Sequence, residues 1–310
     1  MNIDHELEEK IAQFKNTEAA IAFSSGYVAN VSTISCLLEK GDVVICDKFD
    51  HSSIIDGCLL SRAELKRFKH NDMNHLEYLM NKTKAGKRVL VVVDAVFSMD
   101  GDIINLPEVK RLCEKYNSLL MVDEAHAIGV LGATGRGIEE HFCMEEDAVD
   151  IKMGTLSKTI PSIGGYIAGS KKLIAYLTHS ARGFVYSASL PAPSVAASIK
   201  AFDIIINEPN RVVSLKRNYE YFAERIQAEG FDILNSQTAI IPIICGSIDK
   251  SIHLMKYCLE NGIFIQAIYP PVVPVDTSRL RATVNSDHTR ADLDYCVETL
   301  KRGAKKIGIL

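Results

Sequence analysis

Three short apolar runs constrain what this chain can fold into: Val43-Val44-Ile45-Cys46, the stretch from Arg88 to Asp94 with Val-Leu-Val-Val-Val inside it, and Leu119 to Asp123. Each is strand-length and rich in branched residues. Stretches of helical spacing follow, one from about His51 and one from Leu106 to Tyr116. A strand that is apolar at every position must be covered on both faces, and strands separated by helices pair in parallel. The expectation is an α/β fold with a mainly parallel sheet and helices on both faces.

The pattern changes after about residue 205. Asn207-Glu-Pro-Asn210 ends one helix and starts a long polar one. Strands are expected near Ala239 to Ile244, Phe264 to Ala267 and Arg279 to Val284, with a last helix from about Thr289. Pro270-Pro271 and Pro274 mark a rigid loop. This reads as a large domain, 1–205, and a smaller C-terminal α+β domain, 206–310. The 310 residues suffice for both, and the net charge of −4 gives no general attraction to nucleic acid or acidic membranes. Runs such as Val89 to Val93 are too short to span a bilayer, and the polar, acidic start Met1-Asn-Ile-Asp-His-Glu-Leu-Glu-Glu9 is no signal peptide. Eight cysteines without a C-x-x-C pair point away from a metal site or a disulfide frame and toward a reducing cytoplasm.

In a parallel sheet, ligands bind beyond the carboxyl ends of the strands. Asp123 stands at such an end, in Leu119-Leu-Met-Val-Asp-Glu-Ala-His126, followed by the glycine-rich Gly129 to Gly137. An isolated aspartate there most often caps a turn. Asp-Glu-Ala-His after an apolar strand also matches a helicase signature, and Ser187-Ala-Ser189 imitates another helicase motif. A helicase needs an upstream G-x-x-x-x-G-K-[ST] loop, and the only Gly-Lys pair, Gly86-Lys87, is followed by Arg88, so that reading is rejected. The remaining reading is a cofactor site. An aspartate beside a pyridine nitrogen keeps it protonated, which is what the electron-sink chemistry of pyridoxal phosphate requires. Such a site needs a lysine and a phosphate cradle. Asp150-Ile-Lys-Met-Gly-Thr-Leu-Ser-Lys-Thr-Ile-Pro-Ser-Ile-Gly-Gly165 offers Lys158, the flanking hydroxyls of Thr155 and Ser157, and glycines that let a ligand approach the backbone.

Asp-Glu-Ala-His, Gly-Thr-Leu-Ser-Lys and Gly-Gly-Tyr, in that order, resemble fold-type I pyridoxal-phosphate enzymes. Within them the chain resembles the α-oxoamine synthases: 8-amino-7-oxononanoate synthase, glycine C-acetyltransferase, serine palmitoyltransferase and 5-aminolevulinate synthase. Phe23-Ser-Ser-Gly-Tyr-Val-Ala-Asn30, Asp50-His-Ser-Ser53, His70-Asn-Asp72, Val96-Phe-Ser-Met-Asp-Gly-Asp102, Gly135-Arg-Gly137 and Arg279-Leu-Arg281 agree in order and spacing across essentially the whole chain. The resemblance implies a pyridoxal 5'-phosphate-dependent C-acyltransferase that condenses an amino acid with an acyl-CoA and releases CoA and usually CO2. It implies Lys158 as the Schiff-base lysine and base, and Asp123 at the ring nitrogen. It implies Ser25, Gly26, Tyr27, Thr155 and Ser157 at the phosphate, His51 stacked on the ring, and Ser98 and His126 near the phenolic oxygen. Arg281 would grip the amino-acid carboxylate, and Val272 would line the substrate pocket. Ser187 and Ser189 would reach the phosphate of a neighbouring subunit, which makes the expected assembly a homodimer with active sites at its interface.

The family's N-terminal segment, with an Asn-Tyr-Leu-Gly stretch and a Gly-Ser-Arg turn, would precede the region that opens here at Asp4-His-Glu-Leu-Glu8. The arginine that oxononanoate synthases carry before Pro-Pro is Tyr269 here, and their following threonine is Val272. With Pro-Val-Val-Pro and Val195 to Lys200, this leans toward glycine and a short acyl-CoA, as in glycine C-acetyltransferase, with 8-amino-7-oxononanoate synthase, or serine palmitoyltransferase acting on serine and a long acyl-CoA, as the alternatives. A truncated, non-catalytic subunit is the reading from another class. Such subunits usually lack the Schiff-base lysine, and Lys158 is present.

Overall fold

A computed structural model describes residues 2–83 and 86–310. The chain divides into two compact units, residues 1–97 with 104–209, and residues 98–103 with 210–310. The boundary expected at 205/206 moves to 209/210, because the helix before it runs on to Asn207 and is stopped by Pro209. Ser98 to Ile103, which begins four residues after the end of a strand of the first unit, belongs to the second.

The first unit contains α1 (Asn2–Phe14), β1 (Ala19–Phe23), α2 (Gly26–Leu37), β2 (Val43–Asp47), α3 (Ser52–Ser61), β3 (Glu64–Phe68), α4 (Met73–Asn81), β4 (Val89–Asp94), α5 (Leu106–Lys115), β5 (Leu119–Asp123), α6 (Ile138–His141), β6 (Ile151–Ser157), β7 (Pro161–Gly169), α7 (Lys171–Ser180), α8 (Arg182–Val185) and α9 (Ala192–Asn207). Its seven strands lie in the order β1-β7-β6-β5-β4-β2-β3. Pairing from β3 through β6 is parallel, while β7 runs antiparallel to both β6 and β1. The sheet is therefore mixed. The parallel part contains β2, buried throughout, and β4 and β5, buried at every position but the first, as expected for strands covered on both faces.

Alternation along the strands sorts side chains into two cores. Ile21, Phe23, Met153 and Ile167 pack with Ile34 of α2, Ile54 of α3 and Leu177 of α7. Ala20, Tyr166 and Ala168 point the other way, toward Leu7, Ile11 and Phe14 of α1 and Phe202 of α9.

The second unit contains α10 (Asn210–Ala228), β8 (Ile240–Gly246), α11 (Ile248–Glu260), β9 (Gln266–Ile268), β10 (Ser278–Thr283) and α12 (Arg290–Ile307). Its three strands form an antiparallel sheet ordered β8-β10-β9, packed with α10, α11 and α12 around Ile241, Leu254, Leu280 and Val297. Thr289 opens α12 with a capping box to Asp292. The Ser98–Ile103 strap is held here by hydrogen bonds from Gln237 N and Thr238 Oγ1 to Gly101 O, and from Arg279 to Met99 O and the Asp100 carboxylate. Among the described residues no helix is long and apolar enough to cross a membrane.

Candidate active site

Asp123 is the last residue of β5, paired in register with Asp94 at the end of β4. Its carboxylate is buried and takes two hydrogen bonds. Oδ1 accepts from Ala125 N at 2.8 Å, and Oδ2 accepts from Asn30 Nδ2 at 2.7 Å. The chain then turns through Glu124 and Ala125 to His126. Lys158 follows β6 directly, and its Nζ lies 2.9 Å from His126 Nε2. Lys158 is exposed rather than buried. The amine and the carboxylate thus sit at the carboxyl ends of neighbouring parallel strands, where the topology puts ligand chemistry.

The start of α2 supplies an anion-binding end. Ser25, in extended conformation, caps the helix by accepting from Val28 N at 3.1 Å. Helix geometry leaves the first N–H groups, those of Gly26 and Tyr27, without intrahelical partners. A Cβ added at Gly26 would lie 3.2 Å from Thr155 Oγ1, so the helix end abuts that hydroxyl. Thr155 Oγ1 is in turn 2.9 Å from Ser157 Oγ. At Gly165, in register with both Phe23 and Thr155, an added Cβ would lie 2.5 Å from Gly26 Cα, so no side chain fits there.

His51 caps α3 with its own ring, Nδ1 accepting from Ser53 N at 3.2 Å. Its backbone N–H donates to Asp94 Oδ2 at 3.0 Å. Burial, followed by the charge of Asp123, pushes the Asp94 carboxyl well above the usual range. Burial and then Asp94 do the same to Asp50, whose Oδ1 accepts from Asp94 N.

Ser25, Gly26, Tyr27, His51, Asp123, His126, Thr155, Ser157 and Lys158 all fall in the first unit, and the contacts above join them in groups. Ser187 and Ser189 do not join these groups. Both are exposed, and among the described residues Ser187 Oγ reaches only Ala188 O, at 3.5 Å. Ser98, Val272 and Arg281 belong to the second unit, where Arg281 Nε donates to Ser98 O at 2.6 Å. Val272 is exposed. Arg281 is half-buried, and desolvation lowers its pKa.

Several site neighbours were given no role from sequence. Asn30 and Ser53 are buried polar residues on helices whose buried faces mix apolar with small polar side chains such as Ser32, Thr33 and Ser61, so no mismatch in the sequence pattern marks them. Glu124 is buried with Lys15 at 2.6 Å and accepts from Ile138 N at 2.9 Å, so it anchors the turn that carries Asp123 and His126. The donor set fits a phosphorylated pyridine aldehyde: a primary amine, a hydrogen-bonded carboxylate, and a helix N-terminus beside a hydroxyl.

The sequence matches the family described as "Aminotransferase class I and II" over residues 1–300. It is similar to the 8-amino-7-oxononanoate synthase of Thermoanaerobacter pseudethanolicus, with 43% identity over 311 residues, 100% of this chain and 78% of that protein. The structure is similar to the serine palmitoyltransferase of Sphingomonas wittichii, with TM-score 0.97, 30% identity, and coverage of 100% of this chain and 78% of that one. A serine palmitoyltransferase solved with PLP as an internal aldimine gives TM-score 0.97 and 29% identity over the same shares. The lean toward a glycine acetyltransferase finds no support in these likenesses. The curated relative forms an amino-oxononanoate, and the pocket positions that carried the lean, Tyr269 and Val272, are too few to outweigh identity spread over the whole chain.

Proposed function

Because the chain belongs to the class I and II aminotransferase family, and within it to the α-oxoamine synthases, which are pyridoxal-phosphate-dependent C-acyltransferases, we propose that it condenses alanine with an ω-carboxy acyl thioester and releases CO2 and coenzyme A. The observation that carries the reading is the pairing of Lys158 Nζ with His126 Nε2 beside the Asn30-held carboxylate of Asp123. The substrate pair follows from the product named for the 43%-identical relative. In 8-amino-7-oxononanoate, carbons 8 and 9 with the amine correspond to alanine after loss of its carboxylate. Carbons 1 to 7 correspond to an acyl group with a free carboxyl end.

When bound, pyridoxal phosphate stabilises negative charge at the amino-acid α-carbon. The protein's own groups do the rest. The Lys158 amine holds the cofactor and takes the α-proton at Nζ, with His126 Nε2 beside it to steady that proton. The Asp123 carboxylate, kept in place by Asn30 and Ala125, sets the charge at the ring nitrogen. The Gly26 and Tyr27 N–H groups with Thr155 bind the phosphate. His51 covers the ring; within the second unit, the Arg281 guanidinium, held by Ser98 O, offers the fork that suits an amino-acid carboxylate.

A second reading, serine or glycine with an uncharged acyl thioester, is favoured by Tyr269 and Val272 standing where a cationic and a hydroxyl side chain would contact an acyl carboxylate. Two measurements decide. Purified protein should absorb near about 420 nm after loading with pyridoxal phosphate, and Lys158→Ala should lose that band. Coenzyme A release should be fastest with alanine and a carboxy-terminated thioester. A preference of about tenfold or more for an uncharged thioester with glycine or serine would replace the first substrate reading with the second.

A further inference from the structure

A continuous line of hydrogen bonds joins Asp123 to His51 through two side chains that touch neither the amine nor the helix end. Asn30 Nδ2 lies 2.7 Å from Asp123 Oδ2 and 2.9 Å from Ser53 Oγ. Ser53 Oγ lies 2.7 Å from His51 Nδ1. Asn30 and Ser53 are each 1% exposed, and residue 123 lies 93 positions from residue 30, so the line exists only in the folded unit.

The direction of every proton in this line can be deduced. The Ser53 backbone N–H points at His51 Nδ1, so Nδ1 presents a lone pair and carries no proton. Ser53 Oγ must then donate to Nδ1, which leaves its lone pairs for Asn30. The Asn30 amide can satisfy both neighbours only by donating twice, once to Ser53 and once to the carboxylate. Turned over, it would aim its oxygen at Asp123. The amide keeps this orientation although it leaves Oδ1 buried without a partner among the described residues. The imidazole therefore holds its proton on Nε2, which has no hydrogen bond among the described residues.

We propose that Asn30 and Ser53 are positioning residues that tie the carboxylate of Asp123 to His51 and fix His51 as the Nε2–H tautomer, a hydrogen-bond donor toward an oxygen of the bound amino acid or thioester. The inference rests on the cofactor reading above only for what His51 donates to. The tautomer itself is a property of this chain. Asn30 donates at both ends, so the line passes no proton. It transmits position: where Asp123 is held, Ser53 and the His51 ring are held too.

The decisive measurement is 15N NMR of the full chain labelled at its nine histidines, without and with pyridoxal phosphate, the His51 signals being identified by their loss in His51→Gln. Neutral His51 should be protonated on Nε2 in both states. Protonation on Nδ1 would overturn the proposal. A mutant cycle tests the tie. Asn30→Ala and Ser53→Ala should each lower kcat by roughly 10- to 100-fold, the scale of a misplacement of about 1 Å, and the double variant should be no worse than the poorer single one. Losses that multiply, or no loss in either single variant, would refute a shared relay. Asn30→Ser, smaller and still polar, replaces the alanine variant should that one fail to fold. If loaded wild type lacks the visible band, the cofactor reading fails, while the NMR result stands or falls independently.

Discussion

Removing the ammonium of Lys15 should unfold the larger unit at a much lower temperature. Lys15 Nζ is 2.6 Å from Glu124 Oε2, and both side chains are 2% exposed. The same ammonium donates to Arg136 O, so it ties α1 both to the turn after β5 and to the glycine-rich loop. In Lys15→Met, Glu124 would keep only the Ile138 N–H against a buried negative charge. Breaking one side of a buried pair costs about 3–5 kcal/mol. For a unit of about 200 residues each kcal/mol shifts the midpoint by roughly 2–4 °C, giving a fall of roughly 6–20 °C by calorimetry. Lys15→Met/Glu124→Gln leaves no stranded charge, and its amide oxygen still accepts from Ile138, so it should recover more than half of the loss. A single variant melting within about 2 °C of the parent, or a double variant no better than the single, would refute the claim that the pair anchors the turn carrying Asp123 and His126.

Asp94 and Asp50 have raised carboxyl pKa values, by burial first and by neighbouring carboxylates second. A raised folded value means that their contribution is full below the unfolded value of about 4 and is lost as pH climbs toward the folded value. Asp94→Asn, which keeps an oxygen for His51 N–H, should therefore melt higher than the parent near about pH 8 and show no gain near about pH 4. An equal change at both would count against it. Gly165→Ala places a Cβ 2.5 Å from Gly26 Cα, backbone against backbone. It should cost about 1–3 kcal/mol and weaken cofactor binding, read by equilibrium dialysis, while unchanged binding would remove the α2 N-terminus from the phosphate site. Arg281→Lys keeps the charge and loses the fork. It should raise KM for the amino acid by about tenfold and leave KM for the thioester unchanged, and equal effects on both would argue against carboxylate binding there.

The strands that could be read from sequence were those whose burial leaves no ambiguity. β2, β4 and β5 are apolar at nearly every position, and the expected and observed bounds differ by one residue for β2 and β4 and coincide for β5. β3, with Glu64, Lys66 and Arg67 among its five residues, is an edge strand, and its charges hide it from a hydrophobicity pattern. Lys152 hides β6 in the same way, being the strand's second residue, 1% exposed and paired with Glu139 at 2.6 Å. Asp123, His126 and Lys158 stand out in sequence because Asp-Glu-Ala-His and Gly-Thr-Leu-Ser-Lys occur together and in order, and the structure puts Asp123 at the end of β5 and Lys158 after β6 beside His126. Asn30 does not, since what makes it part of the site is a contact across 93 residues. Ser98 was misplaced in the chain's organisation for a related reason. It follows β4 in sequence, and hydrogen bonds from residues distant in the chain, among them Thr238, Arg279 and Arg281, hold its strap in the second unit.

The one antiparallel strand of the large sheet explains how the proposed phosphate end is built. Because β7 reverses against β6 and again against β1, Phe23, Gly165 and Thr155 fall in register across three adjacent strands. Phe23 ends β1 two residues before Ser25 caps α2, so this register fixes the helix N-terminus against the Thr155 hydroxyl. A slip of one residue in β7 would bring Tyr166 to the position of Gly165, and the ring now buried beside Gly154 would stand where Gly26 passes. The Gly-Gly-Tyr sequence is thus explained by packing: the second glycine admits the start of α2 on one face of the sheet, and the tyrosine fills the space over Gly154 on the other. The cradle follows from strand register before any ligand is considered. Changes at Gly165 or Tyr166 should therefore disturb cofactor affinity and stability together, whereas Thr155→Val, which leaves the register intact, should disturb affinity alone.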